Sequence, residues 1–436
     1  VHGADVADGL TAGVRPREQD GGVGIHSRPR EQDGGAGIHS RPRKRPLLRL
    51  AALARLRAGW TGGRLDLILS SGQRLRLGGP GVPDACARIH DDRLFLRLLL
   101  DGELGAGESF VAGEWSSDDV VAVIRVFLRA TRARGVESPV TWLAQLPELV
   151  RHRRAANTRR GSERNIHAHY DLGNEFYRLF LDDETLSYSC AYWPDPALSL
   201  ADAQRAKLDR LCDWLALEPR DHLLEIGCGW GGMAIHAART RGCRVTAITI
   251  SRAQHELATA RVAAAGLADR VTVQYRDYRE LDGTFDKLVS IEMLEAVGYD
   301  FLPHYFATCA RVLRPGGRFA LQSITMPDDR FAAYRRRVDW MQTYIFPGSL
   351  IPSHATIARA AAAAGFTIER CDDIGLDYAP TLRAWRRQFL AELPAIRALG
   401  FTDPFIRTWL LYLAFSEAAF VERTLGNEQL LLTSRA

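Results

Sequence analysis

From Ser199 onward the apolar positions switch between two periods. Leu200, Leu208, Leu211 and Leu215 recur at helical spacing, and Ser199 with Asp202 three residues later predicts the cap that opens that helix. Short apolar runs of strand length follow at His222–Ile226, 244–250, Val271–Tyr275, Phe285–Ile291 and 318–324. Helical stretches separate most of them, notably 252–265, closed by Gly266, and 300–313, closed by Arg314, Pro315, Gly316 and Gly317. Alternating strand and helix predict an α/β fold, a doubly wound and mostly parallel seven-stranded sheet of the Rossmann-like kind. Residues 366–374 and 429–433 read as edge strands, because Gly or Pro lies near their starts.

Upstream the pattern is weaker. Residues 65–77 read as two short strands around a Ser-Gly turn, 93–100 as apolar, 101–115 as turn-rich and 118–132 as helical. Together they predict a small α+β domain over residues 46–150, ahead of a larger one over 151–436. The first 45 residues stand apart, since RPREQDGGVGIHS at 15–27 recurs as RPREQDGGAGIHS at 28–40. A unit so poor in core-forming residues does not bury enough apolar surface to offset its ordering entropy, so it reads as a disordered tail. Residues 151–164 carry six arginines and one glutamate without apolar periodicity. That stretch is either a solvated linker or a patch for anionic lipid headgroups.

Size and composition bound the rest. A chain of 436 residues suggests two to three domains, and no apolar run approaches the roughly 18 residues of a membrane-spanning helix. Seven scattered cysteines argue against a disulfide scaffold, and no pair has zinc-ligand spacing. A net charge of +5 is too small to call for a polyanion, so no nucleic-acid partner is expected.

The first long strand runs into a glycine-rich turn, LLEIGCGWGG at 223–232. Glycines there let the backbone turn tightly and approach a ligand at a helix N-terminus. Gly227, Gly229 and Gly232 satisfy GxGxxG, which dinucleotide enzymes share. A dinucleotide site needs an acid about 20 residues on, but Thr249, Ser251 and Gln254 mark that region instead. Glu225 just ahead of the first glycine, and Asp277 with Tyr278 after the third strand, fit an S-adenosylmethionine site better.

With these motifs the chain resembles the cyclopropane-fatty-acyl-phospholipid synthase family, which includes the mycolic acid cyclopropane synthases. The resemblance rests on RNIHAHYDLGN at 164–174, LSYSCAYW at 186–193, EIGCGWGG at 225–232, YIFPG at 344–348 and DYAPTL at 377–382. It implies methylene or methyl transfer from S-adenosylmethionine to the cis double bond of a phospholipid acyl chain. A cytoplasmic enzyme peripherally attached to the inner face of the membrane is implied too; two-domain members of the family often form homodimers. By position, Tyr188, Ser189, Gly227, Gly229, Gly231, Thr249, Gln254 and Tyr278 look like cofactor contacts. A bicarbonate ion is the implied base, held at positions matching Cys190, Glu295, Gln322, Ile324 and Tyr378. Aromatic faces stabilise a carbocation, and Tyr170, Tyr188, Tyr192, Trp193, Tyr344 and Phe346 supply candidates.

Three positions depart from the family pattern. Ala296 follows Glu295 where a histidine is usual, Gln322 replaces the histidine of the anion site, and Ser416 stands where a C-terminal cysteine is expected. A glutamine amide donates a hydrogen bond to an anion but shuttles no proton. Ser416 is a candidate site residue without a neighbouring histidine to make it a nucleophile. Two other readings stay open: a methyltransferase acting on a small soluble acceptor, and a lipid-binding homologue with impaired catalysis.

Overall fold

The computed structural model describes residues 46–58, 60–79, 84–132 and 172–435. The repeats, the arginine-rich stretch and Tyr170 lie outside the described residues. A small sheet in the order β2-β1-β3-β4 combines β1 (Leu65–Ile68), β2 (Arg74–Leu77), β3 (Ala85–Ile89) and β4 (Trp115–Ser116). Alternation decides which face is covered: Leu65, Leu67, Ala85, Ala87 and Ile89 are buried while their neighbours look outward. Helices α1 (Pro46–Arg57), α2 (Arg93–Val111) and α3 (Val120–Arg132) accompany it.

The turn-rich expectation for 101–115 is corrected by α2, which runs on to Val111 with one kink at Gly102 (φ 57°, ψ −121°). The glycines there record close packing. A Cβ on Gly107 would stand 2.6 Å from the indole of Trp340, so only glycine lets the helix approach.

The large sheet contains β5 (His222–Ile226), β6 (Arg244–Thr249), β7 (Val271–Tyr275), β8 (Phe285–Ile291), β9 (Leu313–Thr325), β10 (Phe366–Asp373) and β11 (Gly426–Ser434). Their order is β10-β11-β9-β8-β5-β6-β7. The first five in sequence pair in parallel, and β11 is antiparallel to both of its neighbours. The sheet is therefore the doubly wound, mostly parallel one that the periodicity predicts. One detail differs: 429–433 forms no edge, because β11 is inserted between β9 and β10. Leu430 and Leu432 on one face and Asn427 and Gln429 on the other are all buried, so this strand is covered on both sides.

Helix α4 (Leu200–Leu215) leads into β5, and crossover helices α5 (Gly232–Arg241), α6 (Arg252–Ala264), α7 (Leu302–Val312) and α8 (His354–Ala363) lie between strands of the large sheet. The Ser199 cap forms as predicted, its side chain accepting from the Asp202 amide. Two long helices, α9 (Tyr378–Ala391) and α10 (Asp403–Val421), close the chain before β11. They join the two sheets. Arg125 and Arg129 of α3 donate to the two oxygens of Glu422 at 2.7 and 2.6 Å, and Arg407 of α10 donates to the carbonyls of Phe110 and Trp115. One apolar cluster runs from Phe95 and Val126 to Phe176, Trp385 and Trp409. Among the described residues no helix is long and apolar enough to cross a membrane.

Candidate active site

The carboxyl ends of β5, β6 and β8 open into one cavity of about 1510 Å³. At one end lies the glycine-rich turn. Gly229 takes φ 51°, and a Cβ there would meet open space, so its backbone is laid bare for a ligand. Gly232 is needed for a different reason: a Cβ would stand 2.3 Å from the Thr185 carbonyl. Glu225, at the end of β5, is buried, and one of its carboxyl oxygens has no hydrogen-bond partner. Burial pushes its carboxyl up to about 8, against the opposing amide of Ala234 and charge of Lys207. An orphaned acceptor beside bared backbone fits a cationic ligand that brings its own donors, as S-adenosylmethionine does.

The other expected cofactor contacts divide. Thr249, Gln254, Asp277, Tyr278, Tyr188 and Ser189 line the cavity. Thr249 and Gln254 hold each other, hydroxyl to amide oxygen, at 2.8 Å, and Arg279 clamps Asp277. Burial raises the Tyr278 hydroxyl to about 12. Ser251 and Gly231 belong to the scaffold instead. Ser251 caps α6 by accepting from the Gln254 amide, and Gly231 (φ 82°) opens α5. Sequence reasoning missed Lys207, which is wholly buried and donates to the Ser189 hydroxyl at 2.8 Å. Burial draws its ammonium down to about 8. Its one trace in the sequence is a charge set against Leu208 on the apolar stripe.

The second missed residue changes the chemistry. Glu292 follows directly after β8 with φ 48°, a left-handed conformation costing a non-glycine residue roughly 1–2 kcal/mol. Four donors converge on its carboxylate. Oε1 accepts from the Cys190 amide (2.9 Å), the Gln322 side-chain amide (2.9 Å) and the Asn427 side-chain amide (2.6 Å), and Oε2 accepts from the Tyr378 hydroxyl (2.6 Å). Gln322 is fixed in that role because its own oxygen accepts from Gln429. Cys190, Gln322 and Tyr378 are thus brought together around a side chain. These residues do not fit a free bicarbonate: their donors are already given to a half-buried carboxylate, and a second anion beside it would be repelled. The strained φ at Glu292 was not legible from sequence; the signal available was a second acid three residues before Glu295.

Glu295 forms a separate arm. Its Oε1 accepts from the Ile324 amide and the Ser323 hydroxyl, while Oε2 has no partner and the side chain lines the cavity. Burial first, and the Glu292 charge second, push its carboxyl up to about 8. Cys190 presents only its amide; its thiol is raised well above the usual range, chiefly by burial and then by Glu292. Neither Cys190 nor Gln322 lines the cavity, whereas Ile324, Tyr378 and Ser416 do.

The aromatic candidates also separate. Tyr188 and Phe346 line the cavity, joined by Tyr412 and Phe415 of α10, and the Tyr188 hydroxyl donates to that of Tyr412 at 2.8 Å. Tyr192, Trp193 and Tyr344 do not line it. Tyr192 lies beneath Arg210, the Trp193 indole donates to Thr381, and the Tyr344 hydroxyl donates to Glu108. Beyond the aromatics, Leu98 and Leu99 of α2 and Phe127 and Leu128 of α3 continue the cavity as an apolar wall.

A parallel sheet with β11 inserted antiparallel, a glycine-rich turn after β5 and an acid on that strand define a class I S-adenosylmethionine-dependent methyltransferase. The family model for mycolic acid cyclopropane synthetase matches residues 157–430, and the chain belongs to that family. It is 42% identical over 365 residues to tuberculostearic acid methyltransferase UfaA1 of Mycobacterium tuberculosis, covering 82% of this chain and 84% of that one. It is 36% identical over 356 residues to the cyclopropane-fatty-acyl-phospholipid synthase of Escherichia coli K12, covering 81% and 89%. Among solved structures, the mycolic acid cyclopropane synthase CmaA1 complexed with SAH and CTAB aligns with a TM-score of 0.59 at 30% identity, over 62% of this chain and 98% of that one. The chain is accordingly an S-adenosylmethionine-dependent methyltransferase that modifies lipid acyl chains.

Proposed function

We propose that the protein adds one carbon to the cis double bond of an unsaturated acyl chain carried by a phospholipid, with Glu292 in the place of a bound bicarbonate. The carrying observation is that one cavity joins the glycine-rich turn, the two carboxyl groups and an apolar wall from α2 and α3. Its volume exceeds the roughly 300–1,000 Å³ of ordinary small-molecule sites, as expected for a cofactor together with a long chain. A small soluble acceptor would leave most of that wall exposed to water.

Bound at the turn, S-adenosylmethionine supplies an electrophilic methyl group on a positively charged sulfur. The residues of the chain do the rest. The apolar wall holds the alkene dry and oriented, and Tyr188, Phe346 and Tyr412 face the positive charge left on the acyl chain once the methyl carbon is bonded. Glu292 accepts a proton from the new methyl group. The electrons of that C–H bond either close a three-membered ring or, after a hydride shift between the two former alkene carbons, form a methylene branch. Either product carries one added CH₂. Tyr378, Gln322, Asn427 and the Cys190 amide fix the carboxylate in place while it accepts the proton.

The test is to incubate the purified chain with methyl-labelled cofactor and vesicles of unsaturated phospholipid, and in parallel with free fatty acid. Label in the phospholipid acyl chain is expected, and mild hydrogenation then separates the methylene, which takes up hydrogen, from the ring. Label confined to soluble acceptors would overturn the assignment. The arginines of residues 151–164 support a visit to an anionic membrane surface, so vesicle binding should weaken as salt rises.

A further inference from the structure

Three potential metal ligands from three elements meet at the outer side of the large sheet. His354 is the first residue of α8, Cys371 lies on the edge strand β10, and Glu428 lies on β11. His354 Nδ1 is 2.7 Å from Glu428 Oε2, and the Cys371 sulfur is 3.7 Å from that oxygen and 4.0 Å from that nitrogen. Bonds of about 2.0–2.3 Å at tetrahedral angles set ligand atoms about 3.3–3.6 Å apart. The observed triangle has that size, with one side short and one long, and a cation at its centre needs only side-chain adjustment.

We propose that His354, Cys371 and Glu428 bind a borderline-soft divalent cation of the zinc class, with water in the fourth position. An imidazole, a thiolate and a carboxylate are the donor set such an ion takes. On binding, the thiol proton leaves to solvent and the sulfur bonds the metal, so that thiolate and carboxylate together balance the two positive charges. The acids nearby on the same strand are already engaged: Asp372 pairs with Arg210 and Arg370, and Asp373 pairs with Arg423. That leaves the His354–Glu428 pair and the thiol for a metal.

The site is separate from the reaction chamber. Side chains alternate along β11, so Glu428 faces away from the side on which Asn427 reaches Glu292. Its effect is to fasten the edge strand β10 and the start of α8 to β11.

The full chain, freed of metal by dialysis against chelator, is titrated with Zn²⁺ by calorimetry in two buffers of different ionisation heat. One equivalent bound at micromolar Zn²⁺ with proton release is expected, together with a rise in Tm. With Co²⁺ as probe, a thiolate-to-metal absorption band is expected. Cys371→Ser and His354→Ala should each weaken Zn²⁺ binding by more than about tenfold and remove the Tm rise. Cys371 is exposed, so the serine variant retains the fold, which circular dichroism checks. No uptake at micromolar Zn²⁺, or wild-type affinity in either variant, overturns the proposal and leaves a plain His–Glu pair beside a thiol.

Discussion

The Tyr378 hydroxyl donates to Glu292 Oε2 over 2.6 Å, across 86 positions of sequence. That bond draws α9 against the turn after β8 and gives the carboxylate one of its four donors. A charged acceptor so surrounded is held in one orientation, as a base must be if it is to meet a proton on a transient methyl group.

Replacing Glu292 should therefore separate base from binding. Glu292→Gln is expected to lower methyl transfer by about 10²–10⁴-fold while S-adenosylmethionine affinity, read by calorimetry, changes little. Glu292→Gly relieves the φ of 48° and leaves four donors facing an open space. Added bicarbonate should then restore part of the activity of this variant and leave the wild type unaffected. A wild type that loses activity in bicarbonate-free buffer would count against Glu292 as the base.

Glu295 is expected to respond to the same substitution as its neighbour does. Glu295→Gln keeps a side chain able to accept from the Ile324 amide, so folding and cofactor affinity should stay near wild type while turnover is abolished. If cofactor binding is lost along with turnover, Glu295 belongs to the cofactor site.

Stability should depend on pH with a definite sign. Glu225 and Glu295 are raised to about 8 in the folded chain, above their unfolded range, so between about pH 5 and 8 the folded state holds more protons. Stability then falls as pH rises through that window. Melting curves at pH 5.5 and 8 should show the drop in the cofactor-free protein, and Glu225→Gln should flatten it.

Gly229→Ala tests the cradle. The added methyl enters space that no protein atom occupies, so the fold loses only the roughly 1–2 kcal/mol of a left-handed alanine. Cofactor affinity should fall by more than about tenfold. An unchanged affinity would move the ligand away from this turn.

Glu422 tests the joint between the sheets. Glu422→Ala removes both bonds to α3 and should cost about 1–3 kcal/mol in chemical denaturation. Because α3 supplies the apolar wall and not the glycine-rich turn, KM for lipid should rise while cofactor affinity holds.

Much of this molecule was legible before any coordinate. The runs at His222–Ile226 through 318–324 became β5 to β9 because a buried parallel strand needs an unbroken apolar run, and such runs stand out in one dimension. The glycine-rich turn and Glu225 were legible for a local reason, as both lie within ten residues of one strand end. Misreadings came where glycine served packing: Gly105 and Gly107 look like turn signals, yet they sit inside α2 against Arg97 and Trp340.

The sequence by itself determined the class of fold, the glycine-rich turn beside Glu225 and the family. Tertiary structure alone decided which acid sits among the donors. Cys190, Glu292, Gln322, Tyr378 and Asn427 come from five separate stretches of chain, and no spacing among them carries a period. Their meeting depends on β11 entering between β9 and β10 and on the start of α9 reaching the turn after β8. Hydrogen bonds to a half-buried charge reward proximity in space, and sequence records only proximity along the chain.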